Sequence, residues 1–110
     1  MDESAERRRY PRVKATVAVE IYSPDSPMSR TATSDISLCG CYIETMFTIP
    51  VGTKLELKFW VKDEPLTVTA LVVTRFPQVG NGLEFIEMAP EARLKLADFI
   101  STCQKDTARS

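Results

Sequence analysis

The sequence predicts an all-β protein (mainly β) in which six antiparallel strands form a small closed barrel. One C-terminal helix and a flexible N-terminal arm complete the predicted fold. Apolar and polar residues alternate in several short segments, which is the two-residue period of half-buried strands. Turn-forming residues separate these segments, and helical spacing of apolar residues occurs only near the C-terminus. Closure into a barrel is expected because an open six-stranded sheet would leave exposed edges.

The first strand shows the alternation most clearly, because every second residue from position 13 to position 21 is apolar. The loop at 23–27 then leads into a Thr-rich second strand, and these two strands should form a hairpin, as should strands four and five. Gly80-Asn81-Gly82 is a strong tight-turn signal before the last strand. The predicted strands span 13–21, 30–36, 41–46, 55–61, 66–75 and 83–86.

A single helix is predicted after Pro90, which suits a first helical turn, and Glu91 favours the positive end of the helix dipole. Leu96, Ile100 and Cys103 follow helical spacing, so the helix should plug or cover one opening of the barrel. The chain thus divides into an arginine-rich arm at 1–12, a barrel with its closing helix at 13–103 and a disordered tail at 104–110.

The composition is that of an ordinary globular domain. Of the 110 residues, 44% are hydrophobic and 26% are charged, which fits one compact core. No apolar run approaches the roughly 20 residues that a membrane-spanning helix needs, and the charged N-terminus lacks the apolar centre of a signal peptide. We therefore expect a cytoplasmic protein without membrane insertion.

The residues offer little for catalysis or metal binding. The chain contains no His, and Cys39, Cys41 and Cys103 lack the paired spacing of zinc sites. A reducing cell interior would keep these thiols free, so we expect packing roles, no disulfide, no metal and no cofactor. No base is placed to activate Ser37 as a nucleophile, and the protein is predicted not to be an enzyme.

The first candidate binding segment is the arm. Five basic residues fall within eight positions that contain no Asp or Glu: Arg7, Arg8, Arg9, Arg12 and Lys14. Pro11 favours an extended backbone here. Extended guanidinium groups can make bidentate hydrogen bonds to phosphate oxygens or to the O6 and N7 edge of guanine. The alternative is a solvated basic tail, which is the better explanation for such a run on its own.

The second candidate segment is Asp35-Ile36-Ser37-Leu38-Cys39-Gly40, at the end of the second strand. Asp35 and Ser37 should project to the same side of an extended chain, and Gly40 permits a backbone turn closed to other residues. A carboxylate can accept hydrogen bonds from N1 and N2 of guanine, and a hydroxyl can donate and accept. Alternatively, both side chains satisfy nearby backbone amides in a turn.

Together, an RxxxR arm before the first strand and a DxSxxG segment at the end of the second resemble the double signature of the PilZ family. The resemblance runs from about residue 6 to residue 99 and includes Gly82-Leu83-Glu84-Phe85 before the helix. It implies a PilZ-type barrel that binds cyclic dimeric GMP (cyclic di-GMP), a bacterial second messenger with two guanines and two phosphodiesters. In this family the arginines contact phosphates and guanine, while the Asp and Ser read a guanine edge.

The resemblance also assigns residues to a ligand site. Arg8 and Arg12 match the first motif, and Asp35, Ser37 and Gly40 match the second without a departure.

Two neighbouring arginines receive further roles. In PilZ-like proteins, an arginine at the place of Arg7 goes with an intercalated pair of ligand molecules, and Arg9 is either a further contact or a source of long-range attraction. The ligand is expected to order the arm and so to signal to a separate protein effector.

Two other interpretations remain. A PilZ-like adaptor would keep the barrel and bind only protein, and the complete motifs disfavour it. A nonspecific binder of single-stranded nucleic acid would fit poorly with a net charge of -1. Trp60 and Tyr42 could stack on bases, yet each fits a strand face and receives no site role.

Overall fold

Six antiparallel strands form a closed barrel in the computed structural model, which describes residues 12–109 and side chains up to residue 104. The elements are β1 (Ala18–Ser23), β2 (Ser26–Ile36), β3 (Gly40–Glu44), β4 (Lys54–Val61), β5 (Glu64–Phe76), β6 (Gly80–Met88) and the helix α1 (Pro90–Arg109). Around the barrel the strands follow the order β1-β2-β3-β6-β5-β4. The predicted fold class is confirmed.

The alternation of the sequence builds the core. In β4, Leu55, Leu57 and Phe59 point inward and are almost fully buried. The helix adds Leu96 and Ile100 to the same apolar cluster, so it covers one opening of the barrel as predicted. Within the described part of the chain, no helix is both long enough and apolar enough to cross a membrane.

Both predicted hairpins are present. β1 pairs with β2, and β4 pairs with β5, each in antiparallel register. Lys62 and Asp63 turn the chain between β4 and β5 with φ of 51° and 66°. Two successive left-handed residues match the twist of the flanking strands, which is why a turn this short can connect them.

The prediction of a tight turn at Gly80-Asn81-Gly82 is wrong, because these residues begin β6. The chain reverses earlier, where Gln78 has a φ of 64°. Asn81 points into the barrel, where its amide accepts from the Ile49 N–H (2.8 Å) and donates to the Ile49 carbonyl (2.9 Å). The motif therefore belongs to a strand that holds the β3–β4 loop through a buried side chain.

The first strand is shorter than predicted, because a side chain interrupts its ladder. Thr33 Oγ1 accepts from the Val17 N–H (3.0 Å) and donates to the Ala15 carbonyl (2.7 Å), in place of one backbone contact. Residues before Ala18 therefore fall outside the regular strand, although Val13 forms a separate bridge with Ile36.

The C-terminal helix is longer than predicted. It continues to Arg109, past residue 104 where the sequence predicted a disordered tail. No Gly or Pro follows Pro90, and the added segment contains Gln, Lys, Ala and Arg, which all favour helix.

Candidate functional site

Arg12, the last residue of the first motif, meets the second motif at the end of the barrel where the helix lies. Val13, the residue after Arg12, exchanges two backbone hydrogen bonds with Ile36, both of 3.0 Å. This bridge fixes the base of the arm beside the last residues of β2. The Arg12 guanidinium then donates from Nη1 to Asp35 Oδ1 at 3.1 Å, although 23 residues separate them in the chain.

The Arg12–Asp35 pair lies open to solvent. Their side chains are 46% and 30% exposed, respectively. Exposed ion pairs contribute about 0–1 kcal/mol to stability, because water screens the charges and two side chains lose freedom. A pair of this kind can exchange partners at little cost.

Ser37 lies in a buried turn directly after β2. Its side chain is 0% exposed, and its Oγ accepts from the Cys39 N–H at 3.1 Å. The same Oγ lies 3.4 Å from the Gly40 carbonyl and 3.2 Å from Cys39 Sγ. Backbone contacts reinforce the turn, since the Ser37 N–H donates to the Gly40 carbonyl at 2.8 Å.

Gly40 is required for close packing rather than for an unusual backbone angle. Of the four glycines, all within the described residues, only Gly52 has a positive φ. A Cβ at position 40 would lie 2.3 Å from the Leu83 carbonyl oxygen, which belongs to the neighbouring strand β6. The sequence predicted that Gly40 is needed for a backbone turn, whereas the structure shows that it is needed because two backbones lie in close contact.

Burial controls the chemistry of Cys41, which faces the core beneath the two motifs. Burial raises the pKa of this thiol far above its ordinary value, Asp35 raises it further and Arg12 lowers it. The thiol is therefore protonated and inert at neutral pH. Cys41 forms no disulfide.

A cleft of about 450 Å³ opens on the outer wall of the barrel beside the motif residues. Its lining includes Arg12, Gly40, Tyr42, Phe76, Gly82 and Glu84. The sequence assigned Arg12 and Gly40 to a site and missed the others, which belong to three different strands. Alternation alone places Tyr42, Gly82 and Glu84 on the outer face of the barrel. Phe76 faces outward only because of a register shift in β5, and neither this shift nor the strand order that joins the four residues was predicted.

The family model for the PilZ domain matches residues 6–102. The chain belongs to the PilZ domain family. No curated protein matches it in sequence.

Three solved structures resemble this PilZ domain in fold. MotI (DgrA), an inhibitor of motility from Bacillus subtilis, is 21% identical with a TM-score of 0.77, and the match covers 94% of this chain and 52% of that one. The chain thus spans about half the length of MotI. The PilZ domain of YcgR from Escherichia coli, solved with cyclic di-GMP, is 16% identical with a TM-score of 0.74 and coverages of 94% and 95%. The PilZ domain of CeSA from a cellulose-synthesizing bacterium is 16% identical with a TM-score of 0.68 and coverages of 86% and 98%.

Within this PilZ domain, the predicted ligand residues fall into three groups. Arg12 and Asp35 are in direct contact, while Ser37 and Gly40 shape the turn behind them. The predictions for Arg7, Arg8 and Arg9 lie outside the described residues. Asp35 and Ser37 do not share an exposed face, because β2 ends at Ile36 and its alternation ends there.

Proposed function

We propose that this PilZ domain is a cyclic di-GMP receptor that binds its ligand between the arginine-rich arm and the Asp35 edge of the barrel. The observation that carries the proposal is the 3.1 Å contact of Arg12 with Asp35, which brings one residue of each motif to the same exposed place. The ligand combines negative phosphodiesters with guanine edges, so it needs both a cation and an acceptor. Arg12 and Asp35 supply this pair.

Asp35 acts in this proposal as a temporary partner for Arg12. Without ligand, the carboxylate holds the guanidinium at the base of the arm. When the ligand enters, Arg12 turns to a phosphate or to the O6 and N7 edge of guanine, and Asp35 accepts from N1 and N2 of a base. Because the pair is exposed and weak, this exchange costs little.

Ser37 contributes through the shape of the turn in this proposal. Its hydroxyl is buried and already engaged with the Cys39 N–H, so direct contact with a base would require the turn to open. The same turn holds Gly40 against β6 and thereby sets the position of Asp35. The predicted reading of a guanine edge by Ser37 remains a prediction.

The arm supplies further cations and the signal. Arg7, Arg8 and Arg9 would close over the phosphates, with Arg7 favouring an intercalated ligand dimer, and the closed arm would present a new surface to a protein effector. The proposed activity is regulated binding rather than catalysis. Only interactions that differ between the free and bound states can drive such a change.

Isothermal titration with cyclic di-GMP tests the proposal. We expect saturable binding by the wild type, no comparable binding of linear GMP, and strong weakening by Arg8→Ala. Two ligands per chain would support the role of Arg7, and one ligand per chain would refute it. A folded wild type that binds no cyclic di-GMP would overturn the receptor function and favour a protein adaptor.

A further inference from the structure

The cleft beside the motif residues is a trough that crosses the outer walls of three strands. Cys41 and Leu83 face the core, so the alternate residues of β3 and β6 face outward. In β5 a register shift between Val72 and Thr74 turns Thr74 and Phe76 outward as well. Register places Tyr42 opposite Gly82, and Gly82 opposite Thr74. The middle strand therefore contributes a residue without a side chain at the centre of this wall.

Glycines on β6 keep the trough open. A Cβ on Gly82 would lie 2.2 Å from Thr74 Oγ1, and a Cβ on Gly80 would lie 2.7 Å from the Tyr42 hydroxyl. The Tyr42 side chain thus extends across β6, over Gly80, towards β5. There its ring centroid is 6.3 Å from that of Phe76, at an interplanar angle of 52°.

This aromatic pair presents usable surface. The Phe76 residue is 53% exposed, and Tyr42 is half-buried, so neither is enclosed in the core. Exposed aromatic side chains stack on nucleobases, and this stacking contributes to affinity whichever base is bound. Since Tyr42 and Phe76 line the same cleft as Arg12, a base in the trough would remain within reach of the motif arginine.

The trough continues directly from the Arg12–Asp35 pair. Asp35 is the register partner of Tyr42, so one row crosses the barrel from Asp35 through Tyr42 and Gly82 to Thr74. Neighbouring strands lie about 4.8 Å apart, which gives this row a length of about 14 Å. The row is long enough for a dinucleotide rather than for a single small anion.

Glu84 supplies the second acceptor of the trough. It lines the cleft on β6, opposite Gly40, and is exposed. No hydrogen bond or ion pair links its carboxylate to any other described residue, and it shares the cleft lining with a single cation, Arg12. A free carboxylate repels phosphate and accepts hydrogen bonds, so it favours the N1 and N2 edge of guanine.

We infer that the trough holds one guanine of the ligand, stacked on Tyr42 and Phe76, and that Glu84 selects guanine by accepting from its N1 and N2 hydrogens. This inference rests on the proposed function and adds a base-specificity residue outside both motifs. Asp35 and Glu84 lie two strands apart, about 10 Å by strand spacing alone, so they serve different bases.

A ligand without the exocyclic amine tests the role of Glu84. The wild type and Glu84→Ala are titrated with cyclic di-GMP and with cyclic dimeric inosine monophosphate, which lacks N2. We expect the wild type to prefer cyclic di-GMP by about tenfold or more, and Glu84→Ala to keep only the smaller preference that Asp35 supplies at the other base. Glu87→Ala, an exposed carboxylate on the same strand, is the matched control and should keep the preference.

Aromatic substitutions test the stacking. Phe76→Ala and Tyr42→Leu should each weaken binding of both cyclic dinucleotides by about tenfold, because stacking does not depend on the amine. Trp60→Leu is the control, since Trp60 is exposed on β4 and does not line the trough. Melting temperatures measured on the same samples identify any variant whose loss reflects unfolding.

The outcomes separate this inference from the proposed function. Wild-type binding with an unchanged guanine preference in Glu84→Ala would overturn the role of Glu84 and leave the receptor function standing. If the wild type binds and both aromatic variants keep its affinity, no base stacks on Tyr42 and Phe76 in the trough. Absence of cyclic di-GMP binding by the folded wild type would overturn both proposals.

Discussion

The two halves of the site, the Arg12–Asp35 pair and the Ser37–Gly40 turn, are built on opposite physical principles. The pair is exposed and held by one contact of 3.1 Å, so it is weak and exchangeable. The turn is buried, its hydroxyl is engaged, and its glycine touches the backbone of β6. In the proposed receptor, the exposed half would contact the ligand, while the buried half would hold the exposed half in place. Substitutions in the two halves should therefore affect binding and stability differently.

The largest effect is expected for Gly40→Ala. The added Cβ would lie 2.3 Å from the Leu83 carbonyl oxygen, and backbone cannot move aside as a flexible side chain can. Separation of β3 from β6 should lower the free energy of unfolding by about 2–3 kcal/mol, as overpacking commonly does. Urea denaturation measures this loss, and titration of the folded fraction should show that cyclic di-GMP binding is lost as well.

Gly52→Ala is the control for Gly40→Ala. Gly52 has a φ of 93°, yet nothing lies within 4 Å of an added Cβ. Gly52→Ala should lower the free energy of unfolding by about 1 kcal/mol, from the strained backbone angle alone, and should retain binding. Equal losses of stability in the two variants would contradict the close-packing explanation for Gly40.

Arg12→Ala should break the exposed half alone. Charge-assisted hydrogen bonds contribute about 1.5–3 kcal/mol each, so the affinity for cyclic di-GMP should fall roughly 100-fold. The free energy of unfolding should change by less than about 1 kcal/mol, because the pair with Asp35 is exposed. Titration and denaturation of the same preparation measure both quantities.

Arg30→Ala is the matched control for Arg12→Ala. Arg30 is exposed and also forms an ion pair of 3.1 Å, with Glu20, on a different wall of the barrel. It should leave affinity unchanged at equal salt. If both variants lose affinity alike, the arginines act through general attraction of the anionic ligand and not through a defined site.

Ser37→Ala should break the buried half. It removes the acceptor of the Cys39 N–H, and an unsatisfied amide there should lower the free energy of unfolding by about 1–2 kcal/mol. Affinity should fall with it, because the turn positions Asp35. Denaturation measured beside titration decides the mechanism: lost affinity with unchanged stability would show that Ser37 contacts the ligand directly.

The sequence predicted the barrel well because its information is local. Alternation assigns the inward face of β4 without knowledge of its neighbours, and the inward residues are indeed buried. Prediction failed where a distant contact decides the structure. Gly80-Asn81-Gly82 has turn chemistry, but burial of Asn81 against Ile49 makes it a strand. The trough also escaped prediction, because Tyr42 becomes the neighbour of Gly82 only when β3 pairs with β6.

The smallest effect is a pH dependence that belongs to the buried half. Burial raises the pKa of Cys41 in the folded state, whereas the pKa of an unfolded thiol is about 8.5. The folded state then holds a proton that the unfolded state releases, so stability is complete below the unfolded pKa and falls as pH rises above it. We expect a loss of about 1 kcal/mol between pH 8 and pH 9.5 from this residue.

Cys41→Ala isolates the contribution of Cys41 from those of other groups that titrate in the same range. Urea denaturation of both proteins at pH 8 and pH 9.5 gives two pH dependences, and the variant should lose about 1 kcal/mol less than the wild type. Identical dependences would mean that the folded thiol ionises as readily as the unfolded one. The core beneath Asp35 would then admit charge, and the contrast between an exposed binding half and a buried supporting half would fail at this position.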